Sequence, residues 1–233
     1  MIENLLVNPV WNALNTVHAR FAVGRGPARR YPMEVLPFAA LADFNNSHLE
    51  PLEELLRPGE QVYLFGAHPK ATKRVAVGEP LDCFQMLGPT ALLASAAADE
   101  VRPIRLTAED ADAMVALKRI AFPGFFGIRT HEVGTYYGVR VDGELVAMAG
   151  ERLAITGSRE ISAVCTHPGH TGKGYANTLM THLMQEHARD GFKSFLHVGQ
   201  TNSRAIALYE RLGFHVTGSI ALWPLSLVIH ATQ

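Results

Sequence analysis

Gly172-Lys173-Gly174, reached through the polar run His167-Pro168-Gly169-His170-Thr171, are the residues whose types and spacing point most directly to chemistry. A strand-like run, Glu160-Ile161-Ser162-Ala163-Val164-Cys165-Thr166, precedes them, and an amphipathic stretch begins at once with Tyr175-Ala176. Glycines let the backbone approach an anion, neighbouring N–H groups converge on it, and the dipole of the following helix favours negative charge. The chemistry is capture of a phosphate-bearing ligand. A nucleoside-triphosphate loop needs a glycine five positions before its Gly-Lys pair and a Ser or Thr after it to hold magnesium. Here His167 and Gly174 occupy those places. A dinucleotide fingerprint is excluded as well, because no Gly-x-Gly-x-x-Gly follows an early strand.

A second constellation lies downstream. The apolar run Ser194-Phe195-Leu196-His197-Val198 reads as a buried strand, and Asn202-Ser203-Arg204-Ala205-Ile206-Ala207-Leu208-Tyr209-Glu210-Arg211-Leu212-Gly213-Phe214 follows it. Asn202 is a natural N-cap, Ala205 is small enough for close approach, and Gly213 suits the left-handed residue that ends a helix.

Together the two constellations resemble the Gcn5-related N-acetyltransferase (GNAT) superfamily. Its pyrophosphate loop reads Gln or Arg, two residues, Gly, one residue, then Gly or Ala. The pattern maps onto Thr171, Gly174 and Ala176, with Thr171 departing from the usual long polar residue. The Asn202-to-Phe214 stretch is similar to the family's helix carrying Asn, Ala and Tyr and closed by Gly-Phe. Tracts such as Arg129-Thr130-His131 and Leu145 to Arg152 look closest to the glycine N-acyltransferase-like branch. The resemblance implies an α/β (α+β) fold, a mixed central sheet with splayed strands flanked by helices. It also implies acetyl-CoA or another acyl-CoA as co-substrate. The implied cofactor contacts are Val164, Cys165 and Thr166 on the strand, Thr171, Gly172, Lys173, Gly174, Tyr175 and Ala176 at the loop, and Asn202.

The implied reaction is direct N-acyl transfer in a ternary complex, with a small-molecule amine or amino acid as acceptor. The N–H groups of Val164-Cys165-Thr166 are the candidate oxyanion donors. Glu160 stands 171 − 160 = 11 residues before Thr171, where some members place a catalytic glutamate. Strand alternation would put Glu160, Ser162, Val164 and Thr166 on one face. Glu160 is thus a candidate base, against the alternative of a solvated strand-end glutamate, and Glu151 is its rival. Tyr209 is the candidate acid, with a reference pKa of about 10 against about 8.5 for a thiol; the alternative is packing alone. Arg129 is a candidate partner for a substrate carboxylate, or else part of a structural salt bridge. Cys165 reads as a small strand residue, and His167 and His170 lack a third ligand, so no metal is expected. A non-catalytic acyl-CoA-binding regulator is the alternative function.

These residues need elements to position them. In residues 100–233 the expected order is strand 101–106, a helix begun at Thr107-Ala108-Glu109-Asp110, and an irregular segment. A hairpin of 136–141 and 144–155 about Asp142-Gly143 comes next, then strand 160–166, helix, strand, helix and terminal strands. Residues 1–99 read as a smaller N-terminal α/β domain of unassigned role, a candidate degenerate half-copy of the same fold. Val10, Leu14, Val17 and Phe21 fall on one helical stripe after Asn8-Pro9, and Leu49 to Leu56 suggests a second helix stopped by Pro58-Gly59. Strands are expected at 61–65 and 82–87. Arg25, Arg29 and Arg30 lie in a loop. With 48% apolar and 18% charged residues, the 233-residue chain is globular, not disordered. A net charge of −1 without basic blocks argues against a nucleic-acid partner. Two cysteines, 165 − 83 = 82 positions apart, give no disulfide framework. No run of about 20 apolar residues and no leader-like N-terminus are seen, so a reducing cytoplasm is the expected setting. A homodimer is left open.

Overall fold

The computed structural model of the protein describes residues 6–43, 48–89 and 101–228. Helix α1 (Pro9–Leu14) leads through strands β1 (Ala28–Arg30) and β2 (Phe38–Leu41) to the single-turn helix α2 (Glu50–Glu53). Strands β3 (Gln61–Phe65), β4 (Val75–Val77) and β5 (Leu81–Leu87) follow. After β6 (Ile104–Leu106) and helix α3 (Ala111–Ala121) come β7 (Tyr136–Val141), β8 (Glu144–Ile155) and β9 (Ser158–Thr166). The chain closes with helix α4 (Tyr175–Arg189), β10 (Lys193–Gly199), helix α5 (Ser203–Arg211) and β11 (His215–Leu227).

Local chemistry explains the best-defined elements. Thr107 and Asp110 form a reciprocal capping box ahead of α3, with the Thr107 N–H donating to Asp110 at 2.8 Å. Asp142 and Gly143 both take positive φ, as the tight hairpin between β7 and β8 requires. In α4, Tyr175, Leu179 and Leu183 repeat every four residues and are buried. Burying each leucine fully is worth about 1.5–3 kcal/mol.

The expected first helix is shorter than its apolar stripe. It ends at Leu14, because the Asn15 and Thr16 side chains bond back to the carbonyls of Trp11 and Asn12. A 3-10 turn at Ala19–Phe21 then buries Phe21, while Val17 points outward. Likewise the leucine-rich stretch after Leu49 yields only one turn, although Leu49 and Leu52 are fully buried.

All the strands belong to one sheet, in the order β1-β2-β3-β11-β5-β10-β9-β8-β7-β6, with β4 added on β11. Helix α4 packs its apolar stripe with Val146, Ala149 and Ile161 of the sheet. Met114 and Leu117 of α3 pack with Leu145, Met148 and Cys165, while α1 covers Leu153 and Ile155. A division near residue 99 therefore does not separate two sheets: β5, from the first half, lies antiparallel between β10 and β11 of the second. Among the described residues, no helix is long and apolar enough to cross a membrane.

Candidate active site

The loop before α4 is open and turns on two left-handed glycines. Gly172 and Gly174 take φ of +81° and +80°, and a Cβ added at either would meet no protein atom within 4 Å. Glycine is needed here for its backbone conformation, and the space beside it stays free for a ligand. The first α4 amide to find a helical carbonyl is that of Thr178, which donates to Gly174. The N–H groups of residues 172–177 precede it, at the positive end of a 15-residue helix. His167 is occupied locally, its Nδ1 accepting from the Gly169 N–H at 3.1 Å. The Thr171 hydroxyl donates to the Pro168 carbonyl at 3.2 Å, and Lys173 Nζ sits 3.4 Å from His170 Nδ1.

From this loop a cleft of ≈ 980 Å³ runs between β9 and β10. The two strands pair in parallel only from Ser158–Glu160 to Lys193–Phe195; beyond Phe195 the partner of β10 is β5 on its other side. On its other edge β9 stays with β8, so the edge of residues 161–166 that faces away from β8 lines the opening. A bulge at Ala163, with φ of +52°, shifts the β8–β9 register between Met148 and Gly150. Simple alternation along β9 therefore fails: Ile161 and Val164, three residues apart, both pack on the α4 side, while Ala163 and Cys165 pack on the α3 side. Burial pushes the Cys165 thiol up to about 11, against the opposing pull of Lys118.

The expectation for Glu160 is corrected by its surroundings. It is neither solvated nor open to a substrate, being 0% exposed. Arg152 Nε donates to its Oε2 at 3.0 Å and Nη2 to its Oε1 at 2.6 Å. His197 Nδ1 lies 2.7 Å from Oε1. Gln85 Nε2 donates to the Leu6 carbonyl at 2.9 Å and reaches His197 Nε2 at 3.0 Å. That arrangement leaves His197 Nε2 as acceptor and Nδ1–H as donor to the carboxylate. Burial alone would raise the Glu160 pKa, but Arg152 and His197 outweigh it and hold the carboxyl at about 2. A carboxylate so stabilised is a poor base.

Glu151 also departs from its expected role. It turns towards α4, where His187 Nε2 reaches its Oε1 at 3.0 Å and the Thr135 N–H donates to its Oε2 at 2.9 Å. Burial raises its pKa, yet those hydrogen bonds prevail and the carboxyl is lowered. Arg129 stays outside the cleft, spanning Glu132 at 2.6 Å and Glu34 at 3.1 Å, and so makes the structural salt bridge. Arg30 is buried against Glu60, whereas Arg29 bonds to the carbonyls of Gly26 and Ala28.

Helix α5 forms the far wall. Asn202 caps it, Oδ1 accepting from the Ala205 N–H at 3.1 Å, and still lines the cleft. Tyr209 lies there too, and its hydroxyl has no hydrogen-bond partner among the described residues. Burial pushes its phenol up to about 12, with Arg152 opposing. Such a phenol is a weaker acid than a thiol near 8.5.

Reasoning from motifs missed three residues at the deep end: Lys118, Tyr136 and Arg152. Lys118 carries a charge on the apolar stripe of α3, four residues after Met114, and that misplaced charge is the signal that could have drawn attention to it.

Comparison with known proteins follows this geometry. The family model "Acetyltransferase (GNAT) family" matches residues 99–214. The crystal structure of a GNAT-family protein from Novosphingobium aromaticivorans is similar with a TM-score of 0.87 and 31% identity, over 96% of this chain and 99% of that one. A GCN5-related N-acetyltransferase from Kribbella flavida shares the fold at a TM-score of 0.64 and 18% identity, covering 93% and 95% of the two chains. A GCN5-related N-acetyltransferase-like protein from Streptococcus suis does so at 0.61 and 12%, covering 94% of each. No curated protein matches the sequence.

Proposed function

The chain belongs to the GNAT acetyltransferase family, and from that premise we propose that it transfers an acetyl group from acetyl-CoA to an amine by direct attack in a ternary complex. One observation carries the reading: the amides at the start of α4, without backbone partners among the described residues, line the same cleft as the β9–β10 splay. Pyrophosphate fits the first part, because the donors are backbone N–H groups at a helix N-terminus. Pantetheine fits the second, where the free edge of β9 offers backbone groups to its amides.

The thioester then lies beside residues 162–166, whose N–H groups are the proposed oxyanion donors. The amine nitrogen attacks the acyl carbon, a C–N bond forms and the C–S bond breaks. The nitrogen sheds one proton and the departing sulfur gains one, so charge balances. Tyr209 hydrogen-bonds the sulfur as it takes on charge. Among the described residues no Asp or Glu lines the cleft. The amine therefore reacts in its neutral form, its proton leaving through water, and Glu160 acts by holding Arg152 and His197 in place.

Calorimetry with acetyl-CoA, together with a thiol-release assay over an amine panel, tests this. Wild-type protein should bind acetyl-CoA, and Gly174→Asp should weaken binding about 10-fold or more by placing a charge in the anion cradle. Unchanged affinity in that variant would remove the basis of the proposal. Tight binding without thiol release from any amine would favour the non-catalytic acyl-CoA-binding regulator.

A further inference from the structure

We propose that Lys118, Tyr136 and Arg152 form a carboxylate anchor at the deep end of the cleft, which selects acceptor amines bearing a carboxylate and a bulky apolar side chain. The inference rests on the acyltransfer reading and deepens it by naming the acceptor class.

The first observation is an orphan. Tyr136 is 2% exposed, lines the cleft, and its hydroxyl is sealed from water without a partner. Such a group is costly to leave unpaired, so its place in a cleft wall points to a ligand oxygen. The fold makes specific room for it: a Cβ on Gly150, the strand partner of Tyr136, would lie 2.2 Å from the ring. Phe126 then holds the ring edge-on, with centroids 5.6 Å apart.

The second observation is the neighbouring donors. Lys118, only 8% exposed, gives one ammonium proton to the Phe122 carbonyl. Its other two have no acceptor among the described residues. Burial lowers its pKa to about 8, which still leaves the group largely cationic at pH 7. Arg152 uses Nε and Nη2 on Glu160, and Nη1 has no protein partner among the described residues. Arg152, Tyr136 and Lys118 all line the same cleft.

Charge then selects the ligand. Glu160 neutralises Arg152, so Lys118 supplies one uncompensated positive charge. One carboxylate balances it, whereas a dianionic phosphate would overshoot. An acceptor carrying several ammonium groups would meet Lys118 with no acidic residue to offset the repulsion. Phe122, Phe125 and Phe126 line the same cleft, Phe122 beside Lys118 and Phe126 beside Tyr136, which suits an apolar side chain better than a bare methylene.

The experiment compares L-phenylalanine, L-phenylalaninamide, glycine and spermidine as acceptors in thiol release. Alongside it, 3-phenylpropanoate and its amide are titrated into the CoA-saturated protein. Phenylalanine should exceed its amide in kcat/KM by about 10- to 100-fold, the range for a charge-assisted hydrogen bond. It should exceed glycine by a similar factor from the buried ring, and spermidine should be poorest. Phenylpropanoate should bind more tightly than its amide. Lys118→Met and Tyr136→Phe should bring both acid-to-amide ratios towards one, leaving CoA affinity unchanged. Equal use of acid and amide, a preference for spermidine, or ratios untouched by both variants would overturn the anchor while the acyltransfer reading stood. Failure of the protein to bind CoA would overturn the acyltransfer reading instead.

Discussion

Replacing Glu160 by Gln separates a structural carboxylate from a catalytic one. The side chain has 0% exposure and satisfies two Arg152 donors and the His197 N–H at once. A neutral amide keeps the volume but leaves the Arg152 guanidinium buried without its counter-charge, next to the Phe38 ring at 5.1 Å. Removing one partner of a buried pair typically costs about 3–5 kcal/mol. Linkage gives a similar size. A carboxyl at about 2 in the folded protein, against an ordinary value of about 4.3, corresponds to roughly 3 kcal/mol. For a chain of this length, 3 kcal/mol lowers the melting temperature by about 6–12 °C.

The assay is denaturant unfolding of both proteins from pH 7 down to pH 2. Because the folded pKa is depressed, the contribution of Glu160 is fully present above about pH 4.3 and is lost as pH falls towards about 2. The stability gap between wild type and Glu160→Gln should therefore be widest near neutrality and narrow through that window. A variant as stable as wild type within about 0.5 kcal/mol, yet slowed about 100-fold in chemistry with recovery at alkaline pH, would refute the reasoning and restore Glu160 as the base.

Tyr209→Phe removes the unpartnered hydroxyl without disturbing the ring; kcat should fall about 10-fold or more while acetyl-CoA affinity by calorimetry stays constant. Glu151→Gln should cost about 1–2 kcal/mol in unfolding experiments, from the weakened His187 and Thr135 bonds, and should leave the chemical step in single-turnover assays within about 3-fold of wild type. Gly150→Ala forces the Tyr136 ring aside, so acceptor KM should rise with CoA affinity unchanged, at a stability cost of about 1–3 kcal/mol.

Elements with a local chemical cause were legible before any coordinates. The Asp142-Gly143 hairpin, the Thr107–Asp110 capping box, the Asn202 cap and the glycine cradle each need only a few adjacent residues. The shape of the loop proposed to hold phosphate was readable for the same reason. Pairings between distant segments were not. Nothing in Leu81–Leu87 by itself says that it inserts between β10 and β11, because its partners are set by the hydrophobic faces of other strands. The early end of α1 was hidden as well: apolar spacing continues to Phe21, while Asn15 and Thr16 turn their side chains back onto the helix.

The deep end of the cleft shows why site residues inferred from register alone go astray. Two bulges interrupt the β8–β9 ladder. One sits at Ala163, where no glycine announces the positive φ; the other lies between Glu151 and Ala154 on β8. Each moves one strand by a residue relative to its partner, and each such step exchanges the faces of every side chain beyond it. Within the second bulge, Arg152 meets Glu160 in a buried pair, while Glu151 beside it reaches His187 on the α4 side. Counting from the loop identified the strand but could not say which of its side chains reach the cleft. That outcome depends on the bulges. It leaves Glu160 and Glu151 in ion pairs and places Lys118, Tyr136 and Arg152 along the cleft wall, hydrogen-bond donors where the motif led one to expect a base.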